Sequence, residues 1–241
     1  MWVEKLHYLL IQRRFYGQWD LKIGRDKLAE ILRENGLLIV KNGRKVFTTY
    51  SKHRFYKYPN IVKELVLTAP NQVWVSDITY VLTWNGFVYL SIITDAYSRK
   101  IVGWAVHKTL ATEGCLKALK KALDALPNST KGLIHHSDRG VQYCSNAYVE
   151  QLNKRKINIS MTHNRDPYEN ALAERMNRTI KEEMLDNQAF RNIQEAQTKI
   201  EKAVNNYNQR RPHWSLKLKT PNEVHLNQQK KVVKNGQPIL G

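Results

Sequence analysis

Three acidic side chains, Asp77, Asp138 and Glu174, carry the strongest chemical signal in the sequence. They stand in the segments WVSDITY, HHSDRGVQY and DPYENALAERMNRTIKEE, and 35 residues lie between Asp138 and Glu174. An apolar strand pattern holds the first, the exit of a short strand the second, and a helix the third. Carboxylates from three such elements can converge on a pair of divalent ions. Hard oxygen ligands suit magnesium or manganese, and two such ions can drive in-line attack on a phosphodiester. The expected metal site is therefore Asp77, Asp138 and Glu174 with two Mg2+ or Mn2+ ions.

Each residue alone has a plainer explanation. Asp77 lies mid-strand in an apolar run, where a charge needs a partner, and an Arg or Lys would serve as well as a metal. Asp138 precedes Arg139-Gly140, a common bend. A helical Glu such as Glu174 most often faces solvent. The weight lies in the combination of the three on these elements. Asp95, in ITDAYSRK, sits at a strand end and is expected to cap a turn or pair with Arg99. Glu169 suits a helix start, and Glu182 and Glu183, two turns beyond Glu174, are expected to face solvent. Arg178 and Lys181 follow Glu174 at i+4 and i+7, so one helix face runs from a carboxylate into a basic stripe. A Glu174–Arg178 salt bridge is the alternative.

The charge balance names the partner. Lys and Arg outnumber Asp and Glu by 39 to 21, for a formal charge of +18. The basic residues are interleaved with aromatic ones in RRFYGQW and KHRFYKYP, which points to nucleic acid. No apolar run approaches the roughly 18 residues of a membrane span, and no signal-peptide pattern opens the sequence. With two cysteines, Cys115 and Cys144, a disulfide framework is excluded and a reducing cytosol is expected. His135 and His136 lack the paired spacing of a structural zinc site.

The positioning elements follow from periodicity. Residues 2–14 (Trp2, Leu6, Leu9, Leu10) and 25–35 (Leu28, Ile31, Leu32) form two helices around a polar break, a helix-turn-helix-like pattern. Residues 41–60 are basic and aperiodic, an extended linker suited to a phosphate backbone. Strand patterns at 72–80, 86–94 and 99–107 form an antiparallel meander. A helix at 111–126 follows, then a strand at 132–136, a helix near 145–155, a strand at 157–161, and helices at 168–187 and 193–209. This βββαβαβα order is that of a ribonuclease-H-like α/β core, a mixed sheet flanked by helices, with a small helical N-terminal module. The first strand is expected to be central, beside the strand at 132–136. The domains are then 1–40, the N-terminal module; 41–66, a basic linker; 67–225, the core with its C-terminal helices; and 226–241, a basic tail. Candidate DNA contacts are Arg44, Lys45, Lys52 and Arg54 in the linker, with Arg139, Arg178, Lys181, Arg210 and Arg211. The last helix and the tail, with Trp214, are candidates for contacting protein or DNA.

WVSDITY, ITDAYSRKIVGW, HHSDRGVQY, NALAERMNRTIKEE and YNQRRPHWSLKLKTPNEV resemble the transposases of bacterial insertion sequences with a retroviral-integrase-like core. They are most similar to the second-reading-frame (OrfB) product of one large family, over roughly residues 20–225. The resemblance implies that the Asp, Asp, Glu triad is Asp77, Asp138 and Glu174, with Asp77 bridging both ions and the other two each completing one site. It implies strand cleavage at element ends and transfer to a target, without a covalent protein–DNA intermediate. The partners so implied are double-stranded DNA and further copies of the chain on it, in the bacterial cytoplasm at the nucleoid, with no membrane role. The family's transposase is typically a frameshift fusion with an upstream frame, so a fusion partner is expected and terminal repeats should be bound weakly by this part alone. Two rival functions are a nuclease of the same fold that only hydrolyses, and a DNA-binding regulator derived from a transposase. A ribosome-associated RNA-binding protein would fit the charge but not the triad.

Overall fold

The computed structural model describes residues 2–11, 23–37, 53–128, 130–163 and 170–234, so the expectations for Arg44, Lys45, Lys52 and Glu169 lie outside the described residues. The chain divides into two compact units, 1–41 and 42–241. In the first, helices α1 (Trp2–Ile11) and α2 (Arg25–Glu34) pack against each other. Leu9, Leu28 and Leu32 are buried there. Gly36, at φ 65°, ends α2: its N–H donates to Arg33, and the Leu37 N–H donates to Leu32. A left-handed glycine with these two bonds satisfies the last carbonyls of the helix.

The second unit is built on β1 (Val73–Thr83), β2 (Gly86–Asp95) and β3 (Ile101–His107), followed by α3 (Thr112–Asp124), β4 (Ile134–Ser137), the short α4 (Val141–Cys144), α5 (Asn146–Lys154) and β5 (Asn158–Met161). The chain continues into α6 (Ala171–Arg178), which runs on as a π-helical stretch, Thr179–Met184, then α7 (Ile193–Arg210) and α8 (Pro221–Lys234). The sheet order is β3-β2-β1-β4-β5. β1 pairs antiparallel with β2 and parallel with β4, so the first strand is central, as the pattern predicts.

Alternation along β1 separates two apolar layers. Trp74 and Ile78 join Leu119, Leu133 and Leu152 in the layer that holds α3 and α5. Val81, with Leu90 and Ile92 of β2, joins Met176, Ile180, Ile200 and Tyr207 in the layer of α6 and α7. Gly103 of β3 sits directly under α3: a Cβ there would collide with the Ala118 carbonyl oxygen and lie 2.9 Å from the Ala122 Cβ. Helix and strand approach closely because position 103 has no side chain.

Two details add to the expected arrangement. The segment from 226, expected to be a tail, continues α8 as far as Lys234. The π-helical stretch turns Glu183 inward, and its carboxylate receives the Arg211 guanidinium through two bonds of 2.7 and 2.8 Å. Arg211 is nearly buried in this fork, and Glu183, expected to face solvent, is not exposed.

Candidate active site

The register of the central strands assembles the first half of the site. Ser76 of β1 pairs with Ser137, the last residue of β4. In a parallel pair the next residue of each strand stays level with its neighbour, one strand spacing of about 4.8 Å away. Asp77 is the next residue of β1, and Asp138 follows the end of β4, close enough for its charge to act on Asp77. Asp77 lies on the α6 side of the sheet, at the level of Ile92 on β2.

Helix α6 closes over them with one face. Asn170, Glu174 and Asn177 recur at i, i+4 and i+7 on this helix. Asn170 Nδ2 donates to the Ser76 carbonyl at 3.3 Å, and Asn177 Nδ2 donates to Asp77 Oδ2 at 2.8 Å. Glu174 stands between these anchors and is exposed. Arg178 is exposed too, and no ion pair joins the two. Asp138 is half-buried; its Oδ1 accepts the Gly140 N–H at 2.9 Å, an Asx-type turn.

Electrostatics marks Asp77 as the focus. Desolvation and then the charge of Asp138 push its carboxyl up to about 8, with Glu174 adding in the same direction. Bonds from the Ile78 N–H and from Asn177 pull the other way. A carboxyl held this far above its ordinary range, beside two others, favours any cation that enters. Among the described residues, no three His, Cys, Asp or Glu side chains are already gathered at metal-holding geometry. Asp95 is structural: it is fully buried and accepts the Asn71 N–H at 2.6 Å and the Ser98 N–H and Oγ at 2.7 Å each. It caps the β2–β3 corner, the role expected of it.

Among the other expected DNA contacts, Arg54 and Arg210 are exposed and Arg139 is half-buried. Lys181 folds over the Tyr80 ring, 3.8 Å from its centroid. His135 and His136 face inward, 2.9 Å from the Tyr148 hydroxyl and the Ser160 hydroxyl respectively. Trp214 is 50% exposed. Sequence reasoning missed Asn170 and Asn177; the signal available was their i, i+4, i+7 spacing around Glu174. Replacing Asn177 with Ala removes a donor that favours the Asp77 carboxylate, so the Asp77 titration should move further up. Metal-dependent activity of Asn177→Ala should accordingly have its acidic limb at higher pH than wild type, and an unshifted limb would deny Asn177 this role.

Two models of the integrase core domain match the chain, over residues 68–167 and 155–221. The chain is 36% identical, over 191 residues, to the transposase for insertion sequence element IS629 of Shigella sonnei, covering 79% of this chain and 64% of that protein. It therefore spans less than two thirds of that relative's length. It is 31% identical, over 222 residues, to the transposase for insertion sequence element IS904 of Lactococcus lactis, covering 84% of this chain and 87% of that one. Among solved structures, the HTLV-2 integrase catalytic core domain in complex with magnesium superposes with a TM-score of 0.52 at 22% identity, covering 65% of this chain and 97% of that one. That likeness agrees with the ribonuclease-H-like sheet described above.

Proposed function

The chain belongs to the insertion-sequence transposases built on an integrase core domain, and we propose that it cuts DNA at the ends of such an element and joins the freed 3′-ends to a target. The observation that supports this reading is the Ser76–Ser137 pairing, together with the charges of Asp138 and Glu174 that act on Asp77. We propose that these three side chains hold magnesium or manganese, as two ions. The donor set fits: all three are hard oxygen ligands, and burial, then the charge of Asp138, raises the Asp77 carboxyl well above its ordinary range. The magnesium in the HTLV-2 core supports a divalent ion in this fold. Such ions, when bound, supply Lewis-acid stabilisation of charge on the attacking and leaving oxygens.

The chain's own residues do the positioning. Asn177 holds the Asp77 carboxylate toward the site, and Asp138 is fixed by the Gly140 N–H. We propose that Arg178, exposed one turn beyond Glu174, holds a phosphate. The nucleophile is water or a DNA 3′-hydroxyl, so no covalent protein–DNA intermediate forms. Both cysteines are buried, and desolvation raises their thiols to about 12 at Cys115 and about 11 at Cys144, which makes them poor nucleophiles. The discriminating experiment offers a duplex with a pre-cut 3′-hydroxyl and a plasmid target in magnesium. Joined product is the expected result; hydrolysis alone would instead establish the nuclease reading.

The DNA is held through phosphates. Replacing Arg44, Lys45, Lys52 and Arg54 with Ala should weaken binding without changing sequence preference. The salt dependence, log K against log salt, should flatten by about 0.9 for each phosphate that the variant no longer neutralises. An unchanged slope would make the tract a spacer. Joining two ends to one target needs two sites at fixed separation, so we propose at least a dimer on end-containing DNA. Light scattering should show that dimer, and a monomeric complex that still joins paired ends would refute it. The upstream-frame fusion partner and the bacterial cytoplasm as location belong to the same proposal. Among the described residues no helix is long and apolar enough to cross a membrane.

A further inference from the structure

We propose that His53 is a positioning residue of the active site, holding the backbone of the Asp138 loop from a segment that precedes the core. The proposal rests on the placement of Asp138 in the reaction. Residues 53–62 form no helix or strand, yet they are strapped along the core. Phe55 and Tyr58 pack against the layer that holds Tyr143 and Met161, and Val62 packs against the cluster of Val73, Val75 and Ala173. The Pro59 carbonyl accepts the Met161 N–H at 3.3 Å, and the Ile61 N–H donates to Ser160 Oγ at 3.0 Å. Ser160 and Met161 end the edge strand β5, so the strap covers a strand edge that would otherwise face solvent.

At the start of the strap, His53 reaches the catalytic loop. Its Nε2 lies 2.9 Å from the Arg139 carbonyl oxygen, across 86 residues of sequence. A carbonyl only accepts, so Nε2 carries the proton and donates. The Phe55 ring, 5.6 Å away and tilted by 56°, packs against the imidazole. Three consecutive residues of the loop are then tied. Ser137 Oγ donates to the Asp138 carbonyl at 2.9 Å, His53 donates to Arg139, and the Gly140 N–H donates to Asp138 Oδ1. The last bond makes the Asp138 carboxylate follow the backbone at 139–140. A donor that fixes the Arg139 peptide therefore fixes the direction of the carboxylate, in the way that outer-layer partners orient metal ligands.

The test compares His53→Ala with His53→Gln. Glutamine offers an amide N–H at similar reach to Nε2, while alanine offers none. Two quantities are read: the magnesium concentration for half-maximal joining of a pre-cut 3′-end, and amide hydrogen exchange across 138–144 in the metal-free full chain. His53→Ala should raise the magnesium requirement about tenfold, the lower end for outer-layer partners, and speed exchange in the loop. His53→Gln should stay near wild type in both. Unchanged values in the Ala variant would overturn the proposal. Equal damage in both variants would overturn it too, since it would assign the site to packing rather than to the donor. A wild-type chain that joins no DNA would sink the transposase reading, and the exchange measurement would still decide the role of His53.

Discussion

Asp77→Asn, Asp138→Asn and Glu174→Gln are each expected to abolish DNA cleavage and joining while leaving DNA binding and folding in place. Each change keeps the side chain's shape and removes one negative charge from the ligand set. The loss should exceed about 100-fold, because that is the upper range for residues that only support a metal ligand. Asp95→Asn is the control. Asp95 is fully buried and accepts from two backbone N–H groups and the Ser98 hydroxyl, so an amide there would turn N–H toward N–H. It should destabilise the fold by about 1–3 kcal/mol and leave the metal requirement of the folded fraction unchanged. Joining assays in magnesium, with circular dichroism and filter binding on the same preparations, separate the two outcomes. Any member of the triad whose variant joins DNA at a near-wild-type rate loses its catalytic assignment.

Asp77→Asn should also make the metal-free protein more stable at neutral and alkaline pH. Desolvation and Asp138 raise the folded-state pKa of Asp77 to about 8, against 3.8 for the ordinary carboxyl. The folded chain thus binds this proton more tightly than the unfolded chain does. The resulting stability is fully present below about pH 4 and is lost as pH rises through about 8. Asparagine, neutral at every pH, escapes that loss. Melting curves in chelator should show the variant above wild type at about pH 9, with the gap closing toward about pH 4. The same proton competes with metal, so the magnesium requirement of wild type should rise as pH falls below about 8. A variant that melts with wild type across this range would mean that Asp77 is not under electrostatic stress.

Much of this site is legible in the sequence because strand and helix periods are local. The meander, the short strand before Asp138 and the helix of Glu174 follow from apolar spacing alone, and the sheet order follows from topology rules. What escapes is side-chain traffic between distant segments. Asn177 reads as one more polar residue on a helix, yet its amide reaches Asp77, 100 residues away. His53 reads as part of a basic linker, and nothing near it in sequence signals the Arg139 carbonyl. Glu183 reads as solvent-facing on an α-helical wheel. The π-helical stretch Thr179–Met184 changes the angle per residue and delivers it to Arg211. The end of the chain reads as a tail because α8 is polar, but Thr220 and Glu223 cap its start reciprocally: the Glu223 carboxylate accepts the Thr220 N–H at 2.7 Å, and Thr220 Oγ1 accepts the Glu223 N–H at 3.3 Å.

Manganese binding, followed by electron paramagnetic resonance on the full chain with end-containing duplex, addresses the role of the three carboxylates directly. We expect saturable uptake of two ions by wild type and its loss in the triple variant Asp77→Asn, Asp138→Asn, Glu174→Gln. Uptake by the triple variant with unchanged stoichiometry and affinity would contradict the assignment of Asp77, Asp138 and Glu174 as the metal-holding set.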